Sequence, residues 1–502
     1  MSYKVYPVTK TELECSDYEV YVNGEKAELN VARVSAYPFN RRWPGHQRQI
    51  EQTELVNFLS MESDEEVELK IIPKVPAFPV RIRPRELEAD ASFDANGVIT
   101  VKVTGAAQFT VEPYGRRHAL HVFIDPVSDY GVDKAAPNVL YYGPGEHDVG
   151  DLHLKSGQTL FIDEGAVVYA TVYATHVNDI KILGRGILDH SRCKEKILFE
   201  ANVENNNAAV SNATREYAVN FLCCKGVKVD GITIRDALIY NINSMSCEDI
   251  FINDIKVIGC WRFNSDGIHF ANCVRGGLSN SFIRTYDDSI CVRGFANFEY
   301  DRYLCNEKQE DLLFTCRDIL ISNCVVWNDW GKNLQVGTET YSNEITNVRF
   351  ENNKLIHTCD IVLAITLVDN AKIHGITFAN TLVEYDDYIL KSRIQTSDSD
   401  IYEDRYDADH ASVLSHFSVS KHFEYSMIKT EEELGYIHDV LVEDLRLYSV
   451  QKPAFVFHGN NPNSSCEDIT FTRIYWNGEP ISSEFFNRQT KANEFTKNLN
   501  LI

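Results

Sequence analysis

The stretch VKVDGITIRDALIYNINSMSCEDIFINDIKV, residues 227–257, contains one phrase twice. The phrase is a short alternating apolar strand with a small polar residue in its middle, first VKVDGITI and then IFINDIKV. It recurs further along the chain as GLSNSFI, ILISNCVV, VRFENNKL, ITFANTLV, VLVEDLRL and ITFTRIYW. Strict alternation of apolar and polar residues is typical of half-buried strands. The second part of the chain is therefore predicted to be a succession of short strands.

The spacing of these phrases predicts how the strands are arranged. Each phrase has one central residue, and these are Gly231, Asp254, Asn280, Asn323, Asn352, Asn380, Asp444 and Arg473. The intervals are 23, 26, 43, 29, 28, 64 and 29 residues. A self-similar period in the twenties indicates stacked coils, and coils made of strands without helices predict a parallel β-helix. Residues one period apart should then stack on one face, about 4.8 Å apart along the axis.

The chain is predicted to have two domains. Residues 1–135 carry mixed short strand patterns broken by Gly and Pro, which indicates a β-sandwich-like N-terminal domain. Residues 136–502 form the predicted β-helix, and its two long intervals are insertions near 295–316 and 386–436. The segment 37–61, which is rich in Arg, Trp and His, is interpreted as a loop that reaches toward the neighbouring domain.

Composition limits the classes of partner. The chain has 502 residues and a formal net charge of −24, which argues against nucleic acid and anionic membranes because both favour basic patches. Neither a signal-peptide core nor a membrane span of about 20 apolar residues is visible, so a soluble cytoplasmic protein is expected. The 13 cysteines lie mostly in apolar runs without a CxxC pair, which is typical of reduced core thiols. Composition does not indicate the oligomeric state.

An acidic group stands out within the repeats. The stretch RTYDDSICVRG, 284–294, contains the adjacent pair Asp287 and Asp288, and Asp266 in GCWRFNSDGIHF precedes Asp287 by 21 residues. This spacing is close to one coil, so Asp266 should lie one rung from the pair. Adjacent strand residues face opposite ways, so a turn or bulge is needed for both members of the pair to point outward. The alternative is that these aspartates only cap turns at coil corners.

Three carboxylates within one rung suit glycoside hydrolysis. That reaction needs a protonated acid for the leaving oxygen and an ionised base for water. Crowding provides both states, because mutual repulsion raises the pKa of one carboxyl group.

The motifs around these aspartates resemble those of glycoside hydrolase family 28, the polygalacturonases. NSDG at 264–267 resembles the NTD motif of that family, and YDDSICVRG at 286–294 resembles its DD motif. GRGILDHS at 184–191 is similar to its G-x-G-x-I-D-G segment. The resemblance covers roughly residues 180–295.

Further along, the chain departs from that family. The position of its Gly-His-Gly motif reads WNDWGKNLQVGTET, 327–340, and that of its Arg-Ile-Lys motif reads LAI, 363–365. An RIQ with Arg393 occurs at 393–395, about one coil later. WNDWGKNLQVG and CWRFNSDG are instead similar to glycoside hydrolase family 49, the dextranases and isopullulanases, which carry a β-sandwich before the β-helix.

These resemblances imply an all-β chain with a right-handed parallel β-helix and an inverting hydrolase that needs no metal and no organic cofactor. They imply that Asp287 is the general acid and that Asp266 and Asp288 hold and deprotonate the attacking water. An inverting site should separate acid and base by about 6.5–9.5 Å. The expected substrate is an oligo- or polysaccharide with α-linked sugars.

Residues near the motifs are candidate sugar contacts. Aromatic faces stack on the apolar faces of sugars, and cations pair with carboxylates or bond hydroxyl groups. The residues that we select on this basis are Trp261, Arg262, His269, Arg293, Trp330 and Lys332, with Trp327 and Arg284 as weaker choices.

Three hypotheses follow. The first is an inverting, exo-acting glycosidase that acts on α-glucan or galacturonide chains, with a strict exo-polygalacturonase as the narrower alternative. The second is a polysaccharide lyase in which the aspartates hold Ca²⁺ and an Arg or Lys abstracts the proton. The third is a sugar-binding solenoid without turnover.

Overall fold

The structure is a computed structural model that describes residues 3–36, 50, 53–77, 79–113, 115–193, 216–262, 264–296, 298, 303–385, 412–422 and 426–502. Much of the insertion near 386–436 lies outside these residues, as does Arg393. The loop prediction for the segment 37–61 was wrong for residues 53–61, which belong to the strand Thr53–Ser63 that pairs with the strand Asn30–Ser35 in a sheet; residue 50 is described, and the rest lies outside the described chain.

The first described strands form two sheets. They are β1 (Tyr3–Val5), β2 (Tyr18–Val22), β3 (Glu25–Ala27), β4 (Asn30–Ser35), β5 (Thr53–Ser63), β6 (Glu66–Pro73), β7 (Arg81–Arg83), β8 (Ala89–Phe93), β9 (Ile99–Thr104), β10 (Ala107–Glu112) and β11 (Leu120–Asp125). One sheet has the order β1-β5-β11-β10-β7 with β4 on β5, and the other has the order β3-β2-β6-β9-β8. Alternate residues of both sheets, such as Val20, Leu69 and Val122, share one apolar core, as in a β-sandwich.

The remaining strands form one large sheet that winds through the rest of the chain. They are β12 (Val139–Tyr142), β13 (Gly145–His153), β14 (Thr159–Ile162), β15 (Ala166–Thr175), β16 (Asn178–Gly184), β17 (Ile187–Asp189), β18 (Val219–Leu222), β19 (Lys225–Asp230), β20 (Thr233–Arg235), β21 (Ile242–Met245), β22 (Glu248–Asn253), β23 (Lys256–Ile258), β24 (Ile268–Ala271), β25 (Val274–Ser279), β26 (Phe282–Thr285), β27 (Ile290–Arg293), β28 (Thr315–Ser322), β29 (Val325–Asn328), β30 (Leu334–Thr338), β31 (Glu344–Glu351), β32 (Lys354–His357), β33 (Ile361–Leu367), β34 (Lys372–Glu384), β35 (Ser412–Val419), β36 (Tyr436–Ile437), β37 (Val440–Tyr448), β38 (Pro453–His458), β39 (Cys466–Trp476), β40 (Glu479–Pro480), β41 (Thr490–Ala492) and β42 (Thr496–Leu501). A short helix, α1 (Ser483–Gln489), packs near the end, and no described helix is long and apolar enough to cross a membrane.

These strands stack as three parallel faces of a β-helix. Sheet I contains β14, β16, β19, β22, β25, β28 and β31. Sheet II contains β17, β20, β23, β26, β29 and β32. Sheet III contains β18, β21, β24, β27, β30, β33, β35 and β38. The predicted fold class is therefore confirmed.

The repeat register is confirmed, but the place of the central residue was wrong. The residue before each aligned position pairs with its counterpart on the next coil, from Asp230 through to Thr472. The central residues have φ between 44° and 87°, a left-handed conformation that Gly, Asn and Asp adopt most readily. The first five therefore bend the chain between a strand of sheet I and a strand of sheet II, whereas Asn380, Asp444 and Arg473 bend it within the long strands β34, β37 and β39.

The N-terminal sandwich packs against sheet II. Val34, Phe58 and Phe123 form one buried cluster with Phe282 and Trp327 of that sheet. Sheet II is covered by this contact, while the corner that leads from sheet II to sheet III carries the residues of the acidic motifs.

Candidate active site

The candidate site lies on the loops that join sheet II to sheet III. Four successive coils contribute the described residues 259–262 and 264–267, 286–289, 329–333 and 358–360. Coil stacking places them above one another, because Ile268 pairs with Ile290 and Ile290 with Leu334.

The three predicted carboxylates converge there. One oxygen of each of Asp266, Asp287 and Asp288 lies within 4.8 Å of the others. The Gly267 N–H donates to the Asp288 carbonyl at 2.9 Å, which places Asp266 one rung from the pair. Asp287 and Asp288 lie in the turn between β26 and β27, as the outward orientation of both requires. The nearest oxygens are closer together than the wide spacing expected for an inverting acid and base.

Asp287, which is half-buried like Asp288, has the environment of a proton donor. Its Oδ2 accepts a hydrogen bond from the Asn264 amide at 3.2 Å, and its Oδ1 accepts one from the Asp288 N–H at 2.8 Å. Burial in the cleft and the charge of Asp288 raise the pKa of Asp287 to about 7, against the lowering effect of Lys332. A carboxyl group with this pKa carries a proton near neutral pH.

Asp266 is the most buried of the three, with 4% of its surface exposed. Burial, followed by the charges of Asp287 and Asp288, raises its pKa well above the usual range. Its Oδ2 lies 3.1 Å from His269 Nε2, and Arg293 Nε donates to His269 Nδ1 at 3.0 Å. Since Nδ1 accepts, Nε2 carries the hydrogen and donates it to Asp266.

Arg293 and His269 both lie at the site, but their polar atoms contact other protein groups, whereas the sequence predicted contacts with the sugar. Arg293 is 2% exposed, and its Nη1 lies 3.5 Å from Glu339 Oε2. The His269 ring stacks on Tyr240 with ring centroids 4.1 Å apart. These contacts orient the imidazole that supports Asp266, a role that the sequence did not predict for either residue.

Asp288 is held by the loop of the next coil. Its Oδ1 accepts the Lys332 N–H at 2.8 Å, and its Oδ2 lies 3.4 Å from the Lys332 ammonium. These two contacts fix the position of the Asp288 carboxyl group. Lys332 was predicted to be a sugar contact, but in the structure it pairs with Asp288, which is a catalytic candidate.

Gly331 permits this contact because its loop lies against the aspartate turn. A Cβ at position 331 would lie 2.5 Å from Asp288 N and 2.6 Å from Asp288 Oδ1. Real Cβ atoms do not approach backbone this closely, so any side chain here displaces the turn.

We therefore expect Gly331→Ala to lower kcat at least tenfold while the coil core, which does not contain this residue, stays folded. Hydrolysis rates and circular dichroism of the variant test this. The matched control is Gly478→Ala, a left-handed glycine without a neighbour within 4 Å of its would-be Cβ. Equal rates for Gly331→Ala and the wild type would contradict the argument.

The predicted tryptophans occupy different places. Trp330 is half-buried at the cleft, with its ring 5.5 Å from that of Tyr286, so it is placed to stack on a sugar. Trp261 is 7% exposed and donates its indole N–H to Asp236 at 3.2 Å, and Trp327 is fully buried against the sandwich. The prediction that Trp261 and Trp327 offer a ring face to a sugar was therefore wrong, because both rings are buried.

The other two predicted cations are also buried. Arg262 is 2% exposed and pairs with Asp236 while lying over the Trp261 ring. Arg284 has no exposed surface and lies over the Trp327 ring. Both cations stabilise packing behind the cleft, because an arginine guanidinium can pair and stack at once.

Four residues at the site were not selected from the sequence. They are Asn264 beside Asp287, Tyr240 beneath His269, Glu339 beside Arg293, and Asp360 near Lys332. Asn264 lies inside the quoted NSDG motif, which was the available signal. The others come from coils or loops whose contacts depend on side-chain packing.

The chain matches a known family over part of its length. The model of the family "Glycosyl hydrolases family 28" matches residues 156–389. No curated protein matches the chain.

Solved structures are similar to the chain at low identity. Dex49A from Penicillium minioluteum is 13% identical, with 99% of this chain and 96% of that chain covered and a TM-score of 0.54. A hyperthermoactive exopolygalacturonase from Thermotoga maritima is 16% identical over 72% and 84% of the two chains, with a TM-score of 0.47. A family 28 exopolygalacturonase from Yersinia enterocolitica is 13% identical over 99% and 96%, with a TM-score of 0.46. The likeness to Dex49A concerns the fold.

Proposed function

We propose that this chain, a glycoside hydrolase on a β-helix similar to that of family 28, cleaves α-glycosidic bonds in oligo- or polysaccharides through three aspartates. The observation that carries the proposal is the convergence of Asp266, Asp287 and Asp288 within 4.8 Å at an outer corner of the solenoid. Hydrolysis of this kind needs a carboxylic acid and a carboxylate that flank the glycosidic bond.

Asp287 is the proposed general acid. Its pKa of about 7 keeps it mostly protonated below neutral pH, and it donates that proton to the glycosidic oxygen as the bond to the anomeric carbon breaks. Its place on the turn between β26 and β27 leaves it half-buried and within reach of a bound chain.

Asp288 and Asp266 are proposed to activate water. Asp288 is the proposed base, since the Lys332 ammonium and main-chain N–H hold its two carboxyl oxygens in place at the cleft. Asp266 has a raised pKa, so we assign it mainly to holding the water, with His269 orienting its carboxyl group.

Inversion at the anomeric carbon is part of the proposal, supported by the motif resemblance and by two carboxylates besides the acid. The oxygen separation of at most 4.8 Å is instead close to the roughly 5–5.5 Å carboxyl spacing of retaining sites. NMR of the first product from an α-linked substrate distinguishes inversion from retention at the anomeric carbon. A β-anomer is expected, and an α-anomer would replace the proposal with a carboxylate nucleophile.

A pH profile tests the pairing of Lys332 with the aspartates. The wild-type kcat/KM should fall as pH rises above about 7, because Asp287 must be protonated. Lys332→Met removes the charge that lowers the pKa of Asp287, so this alkaline limb should move to higher pH. The maximal rate should fall roughly 10- to 100-fold, because a charge-assisted bond to the base is worth about 1.5–3 kcal/mol. An unmoved limb would contradict the assignment of Asp287.

The proposed substrate is a neutral or mixed oligosaccharide. The two predicted cations nearest the aspartates, Arg293 and Lys332, are engaged by Glu339 and Asp288, which favours hydroxyl-rich sugars over galacturonate. A screen of α-glucan and galacturonide oligosaccharides tests this: faster cleavage of galacturonides would support the strict exo-polygalacturonase instead.

Exo-action and a cytoplasmic location complete the proposal. The insertion after β27 packs Leu304 and Leu312 on sheet III beside Leu222 and Met245, where it would close one end of a groove. Release of only mono- or disaccharides from a long chain is the expected result. A ladder of intermediate lengths would indicate endo-action.

A lyase remains the second candidate, because the three aspartate oxygens are close enough to hold a cation. Arg293, the nearest arginine of the motif, donates to His269, which leaves it poorly placed to abstract a proton. Chelator-sensitive activity with an unsaturated, ultraviolet-absorbing product would select the lyase. Binding of oligosaccharides without any turnover would select a binding module.

A further inference from the structure

A second group of metal-ligating side chains lies at the far edge of sheet III from the aspartates. His176 follows β15, Cys223 follows β18, and Glu307 belongs to the insertion after β27. One ligand atom of each lies within 4.8 Å of the others. His176 and Cys223 come from neighbouring coils, since Thr175 pairs with Leu222.

We propose that His176, Cys223 and Glu307 bind a Zn²⁺ ion, which clips the insertion to the β-helix. An imidazole, a thiolate and a carboxylate form a donor set that zinc accepts, with bonds of about 2.0–2.3 Å. A tetrahedral site with such bonds has edges of roughly 3.3–3.8 Å, so the ligand atoms need to move together by only about 1 Å. A water molecule would take the fourth position at this solvent-facing corner.

Local geometry turns these side chains toward one another. His176 and Cys223 both have φ of 52°, the left-handed conformation at the corner where the chain leaves sheet III. His176 Nε2 already lies 2.9 Å from Glu307 Oε2, so zinc would replace that hydrogen bond with two coordinate bonds.

The sulfur ligand also has a neighbour that supports binding. The Cys223 thiol has a hydrogen bond with Ser246. Ser246 Oγ in turn accepts the N–H of Leu313 in the insertion at 2.8 Å. On binding, the Zn–S bond forms as the S–H bond breaks and its proton passes to solvent.

A similar cluster nearby lacks this capacity. His190, Cys193 and Glu216 are also within 4.8 Å of one another. His190 Nδ1 accepts the Leu238 N–H at 3.1 Å, and its Nε2 bonds Thr171 at 3.0 Å. Because both ring nitrogens are used by the protein, this histidine has no lone pair to offer a metal.

The proposed clip acts on a wall of the cleft. Tyr303 of the insertion contacts Tyr217 at 5.2 Å, and Tyr217 stacks on Tyr240 at 4.8 Å between ring centroids. Tyr240 stacks on His269, which bonds Asp266. Fixing the insertion would thus fix the aromatic stack that ends at the aspartates. The metal site itself does not depend on the proposed function.

Metal binding to the purified full chain after chelator dialysis tests the proposal. We expect one Co²⁺ per chain at this site with a thiolate-to-cobalt charge-transfer band, and displacement of Co²⁺ by Zn²⁺. Cys223→Ser should abolish the band and weaken Zn²⁺ binding at least tenfold in calorimetry. Cys305→Ser is the matched control, because that exposed thiol lies in the same insertion outside the cluster.

Two further readouts keep the test independent of any single variant. Zn²⁺ should raise Tm and slow proteolysis of the insertion in the wild type and in Cys305→Ser, because a ligand that binds only the folded state stabilises it. It should do neither in His176→Ala. A wild type without the charge-transfer band, or Cys223→Ser with unchanged binding, would overturn the proposal.

Discussion

Asp287→Asn is expected to lower kcat by roughly 10²–10⁴-fold, the usual contribution of general acid catalysis. Asparagine keeps the shape and can still accept from the Asn264 amide, but it cannot deliver a proton to the leaving oxygen. The fold should survive, because the side chain lies half-buried on a turn outside the coil core. Steady-state hydrolysis of the best α-linked oligosaccharide measures the effect.

Substrates with different leaving groups distinguish the role of Asp287 from the roles of the other two aspartates. A glycoside with an acidic phenol as leaving group needs little protonation, so Asp287→Asn should lose much less rate on that substrate. Asp249→Asn, at an exposed left-handed corner of sheet I, is the matched control and should act like the wild type. An equal loss on both substrates would assign the proton to another residue.

Asp266→Asn is expected to lower kcat as much as Asp287→Asn does. A substrate with a better leaving group should not restore the rate of this variant. The variant loses the carboxylate that holds the attacking water, and that step is needed whatever group departs. Its amide oxygen can still accept from His269 Nε2, so the local packing should persist. Near wild-type turnover would remove Asp266 from the mechanism.

The same variant should be more stable than the wild type at high pH. The pKa of Asp266 is raised by folding, so its ionisation disfavours the folded state as pH rises above the unfolded value of about 3.9. Asp266→Asn removes this cost, so its Tm should exceed that of the wild type at pH 8, and the difference should vanish as pH falls toward about 4. A lower Tm at pH 8 would show that the carboxylate stabilises the fold.

Periodicity was enough to predict the coil register. The aligned central residues fall on successive coils, because a coil contains one strand of each sheet and its length is set by the strands and corners. The sequence did not predict that these residues lie at corners. The alternation of apolar and polar residues indicates which side chains are buried, but it does not indicate the backbone angle φ. In retrospect, the Asn and Asp at most of these positions were the signal.

The catalytic candidates were predictable for the same reason, whereas their partners were not. Asp266 and the pair Asp287–Asp288 are one coil apart along the chain, and a solenoid converts that interval into one rung. The partners of Lys332, Arg293 and Trp261 depend on which rotamer each side chain adopts and which neighbour reaches it.

Packing between the N-terminal sandwich and sheet II determined which aromatic and cationic side chains are buried. Trp327 and Arg284 look like cleft residues in the sequence, but sheet II carries the sandwich on that face and buries them. Such contacts join residues far apart along the chain and follow no period. Repetition therefore determined the solenoid and the three aspartates, and only the docking of surfaces in three dimensions determined which nearby cations and aromatic rings remain available to a sugar.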